Sequence, residues 1–126
     1  MTQEDKDLLL QDLCGRLPYG VKMNHIADTE NNPIALVGIA KTMITLESSA
    51  GYGTSDIEDY IPYLFPLSSM TEEQMDEYDN LKQDIWDKLK DWKCAKLLDW
   101  LNKNHFDYRG LIEEGLAINA TGLNIY

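Results

Sequence analysis

Residues 71–103 read as helix without a glycine or proline to interrupt them. A continuous helix of that length would span roughly 48 Å at 1.5 Å per residue, too long for a chain of 126 residues to leave straight. Its start is well marked. Thr71-Glu72-Glu73-Gln74 fits a capping box, and Met70 and Met75 stand where a hydrophobic staple needs them. Acids crowd the beginning and lysines the later turns, which complements the helix dipole. The apolar stripe changes sides. Met75, Tyr78, Ile85, Leu89 and Trp92 share one face, whereas Cys94, Leu97, Leu98 and Leu101 centre on a face rotated by roughly 150°. A break between about Lys90 and Cys94, giving two helices, is therefore expected.

The N-terminal half has a different texture. Thr2 can cap a helix from about Gln3 to Cys14, with Leu9, Leu10, Leu13, Cys14 and Leu17 as its stripe and Gly15 and Pro18 as its end. Val21, Met23 and His25 alternate with Lys22, Asn24 and Ile26 as in a half-buried strand. Residues 28–33 form a polar loop. Ile34 to Lys41 and Met43 to Glu47 are rich in β-branched residues and read as two more strands, with residues 48–53 closing the run as a turn. The segment 54–70 reads as a connector: a single helical turn from Ser55 or Asp56, then an apolar stretch with Pro62 and Pro66 lying extended over the sheet. After Asn104, Asp107 can cap a short helix through Glu114 ending at Gly115, and Leu116-Ala117-Ile118 can add a last strand. The expected fold is a single α+β domain over residues 1–126: an N-terminal helix, a small antiparallel sheet of three to four strands, then two to three C-terminal helices.

Composition narrows the function classes. Acidic side chains number 22 and basic ones 11, for a net charge of −11. That balance repels nucleic-acid phosphates and anionic membranes, and it suits a partner with a basic surface. No apolar run reaches the roughly 20 residues of a membrane span, and the polar N-terminus is unlike a signal peptide. A cytoplasmic protein is expected, in which Cys14 and Cys94 are small buried hydrophobes.

Chemistry is thin. Two histidines and two cysteines, far apart, give no zinc spacing, and the aspartates of residues 76–91 lie on a helix rather than in a calcium loop. Gly51-Tyr52-Gly53-Thr54-Ser55 lacks the ending of a phosphate loop. No metal, cofactor or catalytic residue is assigned. His105, Asp107 and Arg109 are the one group that could act together, as proton carrier, orienting carboxylate and anion holder. Their plainer roles are a cation at a helix end, a cap, and an Arg109–Glu113 pair. His25 reads as a core or strand-edge residue, and Trp86, Trp92 and Trp100 as core. Tyr52, Tyr60, Tyr63 and Phe65 gather around the connector, and their plainest role is to cover the sheet. Where they stay exposed they form a candidate partner surface together with Glu72, Glu73, Asp76, His105, Asp107 and Arg109.

Three blocks are distinctive together: Leu13-Cys14-Gly15-Arg16-Leu17-Pro18-Tyr19-Gly20-Val21; Pro62-Tyr63-Leu64 with residues 66–73; and Trp100-Leu101-Asn102 with residues 105–112. In these the chain resembles a family of short hypothetical proteins from gut bacteria and their phages, departing from it in the strands of residues 34–47. The resemblance implies a mobile-element setting and carries no activity or site residue. The function expected is a small acidic, non-enzymatic protein-interaction module. The alternatives are an acidic mimic of nucleic acid that inhibits a host nucleic-acid-binding or defence protein, and a small enzyme using His105, Asp107 and Arg109.

Overall fold

The computed structural model describes the backbone of residues 1–88 and 91–126 and the side chains of residues 1–83 and 94–126. Helix α1 spans Gln3–Arg16 and opens on a reciprocal cap: the Asp5 amide donates to Thr2 Oγ1, and the Thr2 amide donates to Asp5 Oδ2, each at 3.1 Å. The helix runs through Gly15 rather than ending there. Gly15 is where α1 meets a later helix, since a Cβ at this position would lie 3.1 Å from Asn102 Nδ2. The buried face of α1 is Leu9, Asp12, Leu13 and Arg16, spaced i, i+3, i+4, i+7. Cys14 falls off that face and is exposed, as is Cys94, so the expectation of two buried thiols fails.

Seven strands come after it: β1 (Lys22–His25), β2 (Ile34–Ala40), β3 (Met43–Ser48), β4 (Gly51–Asp56), β5 (Tyr60–Pro66), β6 (Phe106–Asp107) and β7 (Ile118–Asn119). Their order is β4-β3-β2-β1-β5-β6, with β7 also on β5. The sheet is mixed, because β6 and β7 run parallel to β5 while the other pairs are antiparallel. The expected three- to four-stranded antiparallel sheet is thus corrected at two places. Residues 51–56 are a strand paired along its whole length with β3, not a turn. Two glycines weaken strand propensity, but they keep every backbone donor and acceptor, and a ready partner strand decides.

Residues 60–66 are likewise a strand inside the sheet, not a cover over it. The arrangement tolerates Pro62 and Pro66 because β5 is served piecewise: β1 pairs residues 60–62, β7 pairs 63–64 and β6 pairs 65–66. With one register partner at each position, a missing N–H breaks no second ladder. The helical turn expected before it is present at Ile57–Asp59, capped by Asp56 Oδ1, which accepts from the Glu58 amide.

The capping box of α2 (Glu72–Lys88) forms as expected, with Gln74 N donating to Thr71 Oγ1 at 3.1 Å and Thr71 N donating to Gln74 Oε1 at 3.0 Å. Helix α3 covers Asp91–Lys103. Of the span Lys90–Cys94 expected to hold a break, residues 91–94 are helical; Leu89 and Lys90 lie outside the described residues, as do the side chains of Trp86 and Trp92. The two helices fold back on each other. Trp100 Nε1 donates to Glu77 Oε2 at 2.7 Å, and the Trp100 ring stacks between Tyr78 and Phe106, at 6.1 and 5.6 Å. The main core sits where Leu9 and Leu13 of α1 meet Met23, Leu36, Ile44 and Leu64 of the sheet.

Candidate functional site

Helix α3 ends with His105 in the left-handed region (φ 61°), its amide donating to the Asn102 carbonyl. The imidazole lies flat against the Tyr126 ring, centroids 3.6 Å apart and planes 11° from parallel. Burial first, then the positive charges of Arg16 and Lys22, push its pKa down to about 4. The ring is therefore neutral near pH 7, and the expected role of a cation at the helix end is corrected. Tyr126 is fixed in turn: its hydroxyl donates to the Tyr63 carbonyl at 2.7 Å and accepts from the Lys22 amide at 3.0 Å.

Asp107 is a cap, as expected. Its two carboxylate oxygens accept from the Leu111 and Ile112 amides, both at 2.9 Å. The capped segment is one closed turn, with Leu116 N donating to Leu111 O at 2.8 Å around a left-handed Gly115, and not a helix through Glu114. Arg109 places Nε 3.4 Å from Asp12 Oδ1. The three residues of the alternative enzyme reading are thus tied to three separate sets of partners. A cleft of about 670 Å³ between residues 66–68 and 107–113 includes Asp107 and Arg109 in its lining but not His105.

Asp12 and Arg16 form a polar centre that no sequence motif marks. Both are fully buried. Arg16 Nε and Nη2 donate to the two Asp12 oxygens at 2.6 and 3.1 Å, and Nη2 also donates to the Phe106 carbonyl at 2.7 Å. The Tyr108 ring lies beneath both guanidinium groups, 5.1 Å from that of Arg16 and 5.3 Å from that of Arg109. The Tyr108 hydroxyl donates to Asn102 Oδ1 at 2.8 Å. The cluster joins α1, the end of α3 and β6. An Asp–Arg pair at i,i+4 reads in sequence as a surface ion pair. The one signal in the sequence is that residues 9, 12, 13 and 16 share one helical face.

The expected aromatic group divides. Tyr63 is fully buried, its hydroxyl 3.2 Å from Asn31 Oδ1. Phe65 packs between Phe106 and Tyr126, and Tyr60 meets the His25 ring edge-on at 5.1 Å. Tyr52 stands apart on β4, 74% exposed. Glu72, Glu73 and Asp76 are exposed on the first turns of α2.

Tyr52 lies on an edge of the sheet. Strand β4 is the terminal strand of the sheet, six residues long, and its sequence Gly51-Tyr52-Gly53-Thr54-Ser55-Asp56 has no proline or lysine and no charge before its last residue. Charges, prolines, bulges and short length are the devices that keep an edge strand from pairing. The other side of the sheet ends in two-residue strands. Register places Gly51, Gly53 and Ser55 on the face of Ile44 and Leu46, and Tyr52 and Thr54 on the face of Glu47 and Thr45. The inner face of β4 is consequently almost bare, and a concavity of about 180 Å³ opens there, lined by Ile34, Leu46, Gly53, Ser55 and Tyr60 among others.

Among the described residues, no group of three His, Cys, Asp or Glu side chains is placed to hold a metal ion. No helix among them is long and apolar enough to cross a membrane. Comparison with family models, curated proteins and solved structures finds no match to this chain.

Proposed function

We propose that this chain is a small acidic protein-interaction module that receives its partner along β4. One observation carries the reading: a six-residue edge strand without a guarding residue before Asp56, beside a highly exposed tyrosine. An edge of this kind offers a row of backbone donors and acceptors that an added strand satisfies. The reading leaves the His105 ring, stacked on Tyr126, and the Asp107 carboxylate, held in its cap, to build the body that carries the sheet.

The test is selection of displayed random peptides against the whole chain, followed by amide hydrogen exchange on the complexes. The expected result is enrichment of peptides that slow exchange across residues 51–56. Selected peptides that bind tightly and leave those amides unchanged would overturn the reading.

A further inference from the structure

Resting on that reading, we infer that the occupant of the β4 edge is an extended segment of another protein that alternates apolar and basic side chains, its apolar residues facing the Gly53 floor and its arginines or lysines facing Tyr52 and Glu47. The two faces of β4 differ, and each selects its own chemistry. On the inner face, Gly53 presents no side chain, and a Cβ built on it meets nothing within 4 Å. Behind it lie Leu46, Ile34 and Tyr60. The concavity of about 180 Å³ is open to solvent, and Ser48, Ser55 and Tyr52 also line it. One aliphatic or aromatic side chain of an added strand fits it.

On the outer face, Glu47 stands directly across from Tyr52. A guanidinium or ammonium group arriving there meets a ring face and a carboxylate together, which favours a cation on both counts. Asp56 lies at the far end of the same strand, and Glu58 and Asp59 come just after it. Lys6 Nζ is held by Glu58 at 2.9 Å, and Lys41 stands one residue before Thr42, whose carbonyl accepts from the Ile57 amide. Acids still outnumber bases at this end, three to two, and Glu47 adds a carboxylate toward the other.

Charge also chooses between a foreign segment and a second copy of this chain. Edge-to-edge pairing of two copies would bring together two molecules of net charge −11, each with Asp56 on the joining strand. The mutual repulsion of two such bodies opposes the pairing. A basic segment gains from the same field, in its rate of encounter above all.

The test uses the whole chain and three labelled ten-residue peptides: alternating valine and arginine, alternating valine and glutamate, and a scramble of the first that keeps its composition. Binding is followed by fluorescence anisotropy at low and high salt, and its place by amide exchange. The alternating basic peptide is expected to bind, to protect residues 51–56, and to weaken as salt rises. Gly53→Trp fills the floor from an open position and should weaken binding by about tenfold or more, with the circular dichroism spectrum and melting temperature of the unbound chain unchanged. Glu47→Gln should lower the affinity and flatten the salt dependence.

Equal binding of the glutamate peptide with β4 protected would keep the edge as the docking site and overturn the basic occupant. Binding of the scramble as tightly as the alternating peptide would overturn it too, because charge alone would then suffice. A concentration-dependent dimer that protects β4 without any peptide would assign the edge to a second copy. Failure of every peptide to protect β4 would overturn both the occupant and the edge.

Discussion

Replacing Asp12 by alanine would leave a guanidinium stranded in the interior. Arg16 is fully buried, its Nη1 makes no hydrogen bond within the protein, and without Asp12 it would keep the Phe106 carbonyl as its one close acceptor. The loss removes two hydrogen bonds, at 2.6 and 3.1 Å, together with the counter-charge. Breaking a buried pair from one side costs about 3–5 kcal/mol, out of a total that is typically about 5–15 kcal/mol for a domain. The melting temperature should fall by about 10–25 °C. Urea titration of Asp12→Ala, Arg16→Met and the double variant Asp12→Leu with Arg16→Met measures this directly. Each single change is expected to be severe. The double change removes both charges, replaces them with apolar volume, and should recover most of the loss. Arg109→Met is the control: its Nε sits 3.4 Å from Asp12 on a side chain 32% exposed, so its cost should stay under about 1 kcal/mol. An Asp12→Ala variant within about 1 kcal/mol of the parent would refute the claim that this pair holds α1 against the C-terminal segment.

Three further outcomes rest on single contacts. His105 has a folded pKa near 4, below its ordinary 6.5, so the unfolded chain takes up the proton first; the stability tied to the neutral ring is present above pH 6.5 and is lost as pH falls toward 4. Because the ring is only partly buried, that contribution is discounted to about 1–2 kcal/mol. The stability gap between the parent and His105→Gln should narrow over this window, and a gap constant from pH 7 to pH 4 would contradict it. Gly15→Val drives a branched side chain into Asn102, whose Oδ1 is already held by Tyr108, and should cost about 1–3 kcal/mol by urea titration, where an exposed glycine in a helix would gain from the change. Thr71→Ala removes the hydroxyl that accepts from Gln74 N and should cost about 1 kcal/mol in the same assay.

The elements legible in the sequence were those set by neighbours along the chain. The caps at Thr2 and Thr71 depend on residues three positions away, and the β2–β3 hairpin depends on two adjoining apolar runs; all of them form. The hidden features depend on partners far off. Strand β5 holds two prolines because three different strands share its length, two of them supplied by residues 106–107 and 118–119. Arg16 can be buried because a carbonyl 90 positions later meets it. The Asp107 cap was legible, since its donors are four and five residues on, whereas the neutral state of His105 was not, since burial against Tyr126 and the charges of Arg16 and Lys22 create it.

The polar groups also explain why the sheet has one open side. On the β5 side, the short strands β6 and β7 are embedded in segments whose polar groups have fixed partners: Asp107 in its cap, Tyr126 in two hydrogen bonds, and Arg16 against both Asp12 and Phe106. A strand added there would have to displace charged contacts buried in the protein. At β4 the backbone faces solvent with glycine, threonine and serine around a single tyrosine. A side chain added at Gly53 meets open space, so nothing steric keeps the position small. A chain under pressure only to stay soluble and monomeric would be expected to place lysine or a branched polar residue on such an edge. The bare glycine is accounted for if the inner face of β4 must stay clear for something else to lie against it.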